Sequence, residues 1–503
     1  MQRKLATWTN EDKQRRIDRL FRLITNAEWL KEAARITLRS TGATTPGIDG
    51  ITRDSLKGIV SEFTSEIRRE LLAGSYEPQP VRRIFIRKSN GKQRPLGIPT
   101  IKDRIVQRAM LMAMDPIWET DFHRLSYGFR PERNVHQAIR TVKIQLQDTG
   151  EHTRGRWVIE GDLSSYFDTI HHRLLMKAVR KRIRDKRFLT LLWSFIKTGH
   201  IEKGLFKAAH SGVPQGGVLS PILANIMLNE FDEYLEKKYL SAKARKDRWY
   251  WNNTIKKQRP IALREKRQWK PAVSYCRYAD DFLVIVKGTR AQAEIIREEC
   301  KGFLEGKLKL TLNMEKTHIT HVNDGFVFLG HRIIRKPGPK GTMRVTDCIP
   351  REKARNFCAK LAEFMNTNLG MDRITMINSL NRRLEGWARF YQYVDQKSWV
   401  FGKIDRVVFW KVAHWLGRKY KSHIKPLMKN SVKYPEPGKA KTWVLYRRTK
   451  EGTVLRAELS RLVGRGKRQY LWKQQGVNPY LKREILKSPT SRYRDVAMAL
   501  SHC

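Results

Sequence analysis

Tyr278-Ala279-Asp280-Asp281-Phe282-Leu283-Val284-Ile285-Val286 sets two adjacent carboxylates at the mouth of an apolar run. Phe282–Val286 reads as a buried strand. On a regular strand neighbouring side chains point to opposite faces, but at a hairpin tip both carboxylates can approach one site. Two clustered negative charges are costly there unless a cation offsets them. An isolated Asp-Asp pair is an ordinary solvated turn, so the reading depends on its surroundings.

Working outward, Trp157–Ile159 is a second short apolar run, ending at Gly161-Asp162. If the two strands are neighbours, Asp162 joins Asp280 and Asp281. Hard carboxylate oxygens with open positions suit Mg²⁺. Two such ions can activate an attacking hydroxyl and stabilise a leaving oxygen in phosphoryl transfer. Lys88 and Arg94 flank the turn Ser89–Lys92, between an alternating segment at 81–88 and an extended arm, Gln93–Ile98. This is a basic hairpin able to close over a triphosphate. Ser211-Gly212-Val213-Pro214-Gln215-Gly216-Gly217 precedes a helix at 218–240, where glycines let backbone approach a base and sugar and Gln215 offers a neutral donor and acceptor. Phe167, five residues after Asp162, is placed to pack on a nucleotide sugar.

The remaining periodicity predicts helices over 10–40, 56–72, 101–118, 172–199 and 291–307, with strand-like segments at 308–321 and 326–334. Residues 241–272 read as a polar, basic insertion. A helical, aromatic stretch follows at 351–425, and beyond 426 the chain turns basic and less periodic, with Pro435–Gly438 as a linker.

Composition narrows the partners. The 503 residues exceed what one core normally organises. Lys plus Arg number 101 against 49 Asp plus Glu, a formal charge of +52. Such an excess disfavours a compact chain unless a polyanion sits against it, and nucleic acid is the natural one. No apolar run reaches the roughly 20 residues that span a bilayer, and the N-terminal segment lacks a secretory apolar core. The expectation is a cytoplasmic protein of bacterial origin, with an organellar origin as the alternative, and no membrane partner. Five scattered cysteines without a Cys-x-x-Cys pair support neither zinc knuckles nor disulfides.

Taken in order, eight segments resemble the sequence blocks of reverse transcriptases encoded by group II introns. They are Thr45–Gly50, Arg94–Ile105, Ser126–Pro131, Gly161–Ile170, Gly212–Pro221, Arg277–Asp281, Leu312–Thr317 and Phe328–His331. The resemblance implies an α+β right-hand polymerase of fingers, palm with antiparallel sheet, and helical thumb, plus a small basic DNA-binding region. It divides the chain into 1–80 (N-terminal extension and start of the fingers), 81–335 (fingers and palm), 336–425 (thumb and maturase domain) and 426–503 (basic region). By resemblance, Asp162, Asp280 and Asp281 are the catalytic, metal-binding aspartates for two Mg²⁺ ions. Lys88, Arg94, Phe167 and Gln215 form the dNTP pocket, with Phe167 excluding a ribose 2′-hydroxyl. Lys316 stands where such enzymes place a candidate acid for pyrophosphate. Phe328, Leu329 and Gly330 form the primer grip. Gly386–Tyr391 resembles the maturase domain, with Arg382, Arg383 and Arg389 as RNA-binding cations. The implied partners are intron RNA, a DNA target, a primer–template duplex and dNTPs. Many relatives continue into an endonuclease with paired cysteines, and the expectation here is that second-strand cleavage is absent. Two alternatives share many of these residues: a reverse transcriptase working without an intron, and a splicing factor with a vestigial polymerase site.

Overall fold

The stretch from 10 to 40, expected as helix, is broken. After α1 (Gln2–Glu11) the chain passes Ile17, which bridges to Ile183, before α2 (Leu20–Ile24) and α3 (Ala27–Arg39) form. Asn26 explains the second break, since its side chain accepts from Trp29 N as an N-cap. The computed structural model describes all residues except 88–90, 92, 148–155, 203–204, 209–210, 247–248, 253–256, 261, 264–267, 270, 339–342, 450, 466–469, 471–477 and 482–503, and describes only the backbone of the rest of 245–270. The chain forms two compact units, one of residues 1–145, 152–320 and 472–503, the other of residues 146–151 and 321–471.

In the first unit, α4 (Val60–Ala73) leads to β1 (Val81–Arg87) and β2 (Gln93–Ile98). These pair antiparallel, with Arg82 opposite Ile98 and Arg87 opposite Gln93. Thr100 caps α5 (Ile101–Trp118) through Asp103 N, and this helix is buried along most of its length. Next come α6 (Val135–Leu146), β3 (Arg156–Gly161), the one-turn α7 (Tyr166–Thr169), α8 (His172–Arg180) and α9 (Lys186–Lys197). The single helix expected over 172–199 is two, because the Asp185 carboxylate accepts from Phe188 N as the cap of α9 and from Phe21 N at 2.7 Å. β4 (His200–Glu202) and β5 (Leu205–Lys207) complete a sheet of order β2-β1-β4-β5.

α10 (Ser220–Leu235) continues into a π-helical turn, Glu236–Leu240, and then α11 (Ala242–Lys246). The insertion carries two short antiparallel pairs, β6 (Trp249–Asn252) with β7 (Lys257–Pro260) and β8 (Ala262–Leu263) with β9 (Gln268–Trp269). β10 (Ala272–Tyr278), β11 (Asp281–Lys287), α12 (Arg290–Phe303) and β12 (His318–His321) follow. The second sheet has the order β10-β11-β3-β12, so the two apolar runs are antiparallel neighbours. Behind it Phe231 of α10 meets Phe282 at 5.1 Å between ring centroids. Asn478–Leu481 also belongs to this unit: Asn478 Nδ2 donates to Pro116 O, and the Tyr480 hydroxyl reaches Asp115 Oδ2 at 3.5 Å.

The second unit opens with a meander, β13 (Phe326–Phe328), β14 (His331–Pro337) and β15 (Met343–Cys348). Helices α13 (Arg351–Thr367), α14 (Arg373–Phe390), α15 (Ser398–Tyr420) and α16 (Ile424–Ser431) follow, then β16 (Val432–Lys433), β17 (Thr442–Arg448) and β18 (Val454–Glu458). The segment past 426, expected to be basic and less periodic, therefore holds a three-stranded sheet. Its Trp443 is buried with Trp415 of α15, and Asp405 of α15 accepts from Leu462 N and Val463 N just after β18. Among the described residues no helix is long and apolar enough to cross a membrane. The architecture is mixed α and β, consistent with a right-hand polymerase.

Candidate active site

The β10–β11 hairpin pairs Tyr278 with Asp281, leaving Ala279-Asp280 as its two-residue tip. Ala279 adopts φ +59°, a left-handed conformation that costs a non-glycine residue on the order of 1 kcal/mol. The surrounding bonds hold it there. Arg277, with no exposed surface, donates from Nη1 to Ala279 O at 2.8 Å and to Asn225 Oδ1 at 3.0 Å. Its Nε and Nη2 reach the two oxygens of buried Asp232 at 2.8 and 2.5 Å. Tyr275 donates to the same Asp232. Across the sheet Phe282 sits opposite Gly161, where a Cβ would lie 2.1 Å from the Phe282 ring. Only glycine allows that approach, and the next residue is Asp162.

Asp162 thus stands beside the tip. Its backbone carbonyl accepts from Asn313 N, and its Oδ2 receives Lys316 Nζ at 2.9 Å. Burial raises the Asp280 carboxyl above the usual range, and the Asp162 charge adds to this against the pull of Arg94 and Arg277. Asp281 is pushed up to about 6 by burial, then by Asp280 and Asp162, with Lys316 opposing. Asp280 and Asp281 therefore both feel the Asp162 charge, and nearby cations offset it only in part. Among the described residues, no three His, Cys, Asp or Glu side chains already form a cation cage. The chemistry of this donor set still suits a hard divalent cation, which can bind through one or two carboxylates and take its remaining oxygens from phosphates and water.

Arg94 and Gln215 come together, and Asp168 joins them. Arg94 Nε donates to Gln215 Oε1 at 3.0 Å, and Gln215 Nε2 donates to Asp168 Oδ2 at 2.9 Å. Phe167, half-buried on α7, meets the exposed ring of Phe129 edge-on at 6.4 Å between centroids. Lys88 lies outside the described residues. In the second unit, Leu329 (φ +48°) and Gly330 (φ +78°) form the tight turn between β13 and β14, with Phe328 buried and Gly330 O accepting from the Tyr391 hydroxyl. Arg382, Arg383 and Arg389 lie on α14: Arg382 donates to Ser379 Oγ, Arg383 covers the Phe364 ring at 3.7 Å, and Arg389 pairs with Glu385. Sequence reasoning missed the Arg277–Asp232–Asn225 network, Phe129 and Asp168. Two signals were available: an arginine interrupting an otherwise apolar strand, and a carboxylate directly following Phe167.

Residues 86–333 match the family "Reverse transcriptase (RNA-dependent DNA polymerase)", and residues 354–434 match "Group II intron, maturase-specific domain". Protein YkfC of Escherichia coli is 69% identical over 365 residues, covering 73% of this chain and 96% of that protein. The group II intron-encoded protein LtrA of Lactococcus lactis is 35% identical over 356 residues, covering 64% of this chain and 57% of LtrA. A putative COX1/OXI3 intron 2 protein of Saccharomyces cerevisiae is 30% identical over 454 residues, 80% of this chain and 52% of that protein. The chain thus spans just over half the length of the latter two. With a polymerase match over the aspartate-bearing sheet and a maturase match over the helical unit, the chain belongs to the group II intron-encoded reverse transcriptases and maturases.

Proposed function

We propose that this protein extends a DNA primer along an RNA template at the Asp162–Asp280–Asp281 face and binds the intron RNA that encodes it. The observation carrying the polymerase reading is electrostatic. Three carboxylates from two adjacent strands share one locus, and two of them are held above their usual range by burial and by neighbouring negative charge. Two Mg²⁺ ions held by Asp162, Asp280 and Asp281 would polarise the α-phosphate and favour ionisation of the primer 3′-hydroxyl.

The chain's own groups act around that centre. Arg94, together with Lys88 six residues earlier in the sequence, neutralises the incoming triphosphate. Gln215 lines the base and sugar side, and the half-buried Phe167 ring sits against the sugar and excludes a ribose 2′-hydroxyl. Lys316 offers its ammonium near Asp162 as the group that protonates departing pyrophosphate. Leu329-Gly330, held by the Tyr391 hydroxyl, grips the primer. The basic sheet and tail beyond residue 426 contact target DNA, and Arg382, Arg383 and Arg389 contact intron RNA. These contacts support splicing and target-primed reverse transcription.

Primer extension on an RNA template by wild type and Asp280→Ala tests the polymerase reading. Wild type extends and the variant loses at least about 10³-fold, the scale on which removing a catalytic electrostatic group acts. Equal extension by both, or none by wild type, sinks it. Splicing of the flanking RNA at low Mg²⁺ with purified protein tests the maturase reading.

A further inference from the structure

The Gln215 amide has two distinguishable ends, and the structure decides which faces which. A guanidinium only donates, so the amide oxygen faces Arg94; a carboxylate only accepts, so the amide nitrogen faces Asp168. Remove Asp168 and nothing in this pair of bonds prevents the amide from rotating, which would turn its nitrogen toward the Arg94 cation.

Asp168 is itself held firmly. It lies on α7, directly after Phe167. Ser211 Oγ donates to Asp168 O at 3.1 Å, Gly212 N to Ile170 O at 2.8 Å and Val213 N to Phe167 O at 2.7 Å. Gly212, at φ +84°, lies so close that a Cβ would stand 2.7 Å from the Asp168 backbone. The loop bearing Gln215 is thereby fastened to the helix bearing Phe167 and Asp168. Gln215 O in turn accepts from Gly97 N at 2.6 Å, tying the loop to β2 and so to Arg94.

We infer that Asp168 is a positioning residue of the nucleotide pocket: it sets the Gln215 amide so that Arg94 and Gln215 present one fixed hydrogen-bonding surface to an incoming nucleotide. The inference rests on the reading of Arg94, Phe167 and Gln215 as the dNTP pocket. Burial disfavours the Asp168 charge, which Arg83, the Gln215 bond, Arg94 and His200 oppose. A carboxylate kept in such surroundings is well placed to orient an amide rather than to meet phosphates directly.

The test is steady-state extension of oligo(dT) on poly(rA) with varied dTTP, using full-length protein. Asp168→Ala raises KM for dTTP about tenfold, the scale of one oriented hydrogen bond, while kcat changes less. Asp168→Asn recovers most of that loss, because its Oδ1 still accepts from Gln215. The Asp168→Ala/Gln215→Ala double variant is no worse than Gln215→Ala. Should Asp168→Ala fail to fold, Asp168→Glu carries the test, since it keeps the charge but shifts the acceptor and raises KM. Additive losses in the double variant, or an unchanged KM in folded Asp168→Ala or Asp168→Glu, overturn the inference. If Gln215→Ala raises KM and the Asp168 variants do not, the positioning role alone falls. If Gln215→Ala leaves KM unchanged, the pocket reading falls with it.

Discussion

Two adjacent levels of one hairpin carry opposite electrostatics. One residue before the Tyr278–Asp281 closing pair, Arg277 is fully buried and matched to Asp232, Asn225 and a backbone carbonyl. At and beside the tip, Asp280 and Asp281 are raised by burial and by the Asp162 charge, with Lys316, Arg94 and Arg277 in partial answer. The Arg277 cluster is matched within the protein, whereas the aspartates beside it repel one another, as the proposed two-metal reading requires. Stability and function thus sit side by side, separated by a single residue pair in register.

Breaking the matched cluster has the largest expected effect. Arg277→Met strands the Asp232 carboxylate in the core and costs about 3–5 kcal/mol, as does breaking other buried pairs, read as a fall in denaturation midpoint. A loss below about 1 kcal/mol would erase the contrast. A second strongly shifted carboxylate gives the next effect. Asp115 is raised to about 7 by burial and by Glu119, against Arg108 and Tyr480. The folded state therefore holds a proton that the unfolded chain releases, so stability falls as pH rises from 3.8 toward about 7 and is level above. Asp115→Asn should flatten that slope and add roughly 2 kcal/mol at pH 8; an unchanged pH profile of Tm counts against it.

At the tip the same logic is milder. Asp281, raised to about 6, costs stability as pH climbs from 3.8 through that value. Asp281 itself is exposed at the strand end, so solvent screening discounts the shift: Asp281→Asn should stabilise metal-free protein by no more than about 1 kcal/mol at pH 8, with the gain vanishing near pH 4. A destabilised variant would show the tip to be compensated after all. The smallest change is Lys316→Ala. Its side chain is 67% exposed, so loss of the bond to Asp162 should move stability by no more than about 0.5 kcal/mol. Its extension rate should fall much further, and a parallel drop in both would make the pair structural.

Local features were legible in the sequence. The β1–β2 hairpin and the span of α5 follow from short-range alternation, a turn and a capping threonine. The β3 and β11 strands were marked by their apolar runs. Helix breaks at Asn26 and Asp185 were not, because periodicity continues across them while a side-chain cap decides the boundary. The sheet past residue 426 was hidden by the basic residues exposed on its strands, such as Arg447, Arg448 and Arg456. Its burial depends on Trp415 and on the Asp405 carboxylate, contributed by a distant helix.

At the candidate site, the aspartates announce themselves as charges beside apolar runs, and ordered blocks of sequence name the family. What they could not announce is Arg277 with Asp232, 45 residues apart, or Gln215 with Asp168, 47 apart. The sequence by itself determined the chemistry on offer: which carboxylates end which strands, how basic the chain is, and which family's blocks it carries. Tertiary structure alone decided which charges are answered and which are left waiting. A charge's cost depends on burial and on partners within a few ångströms, and chain order does not encode those distances.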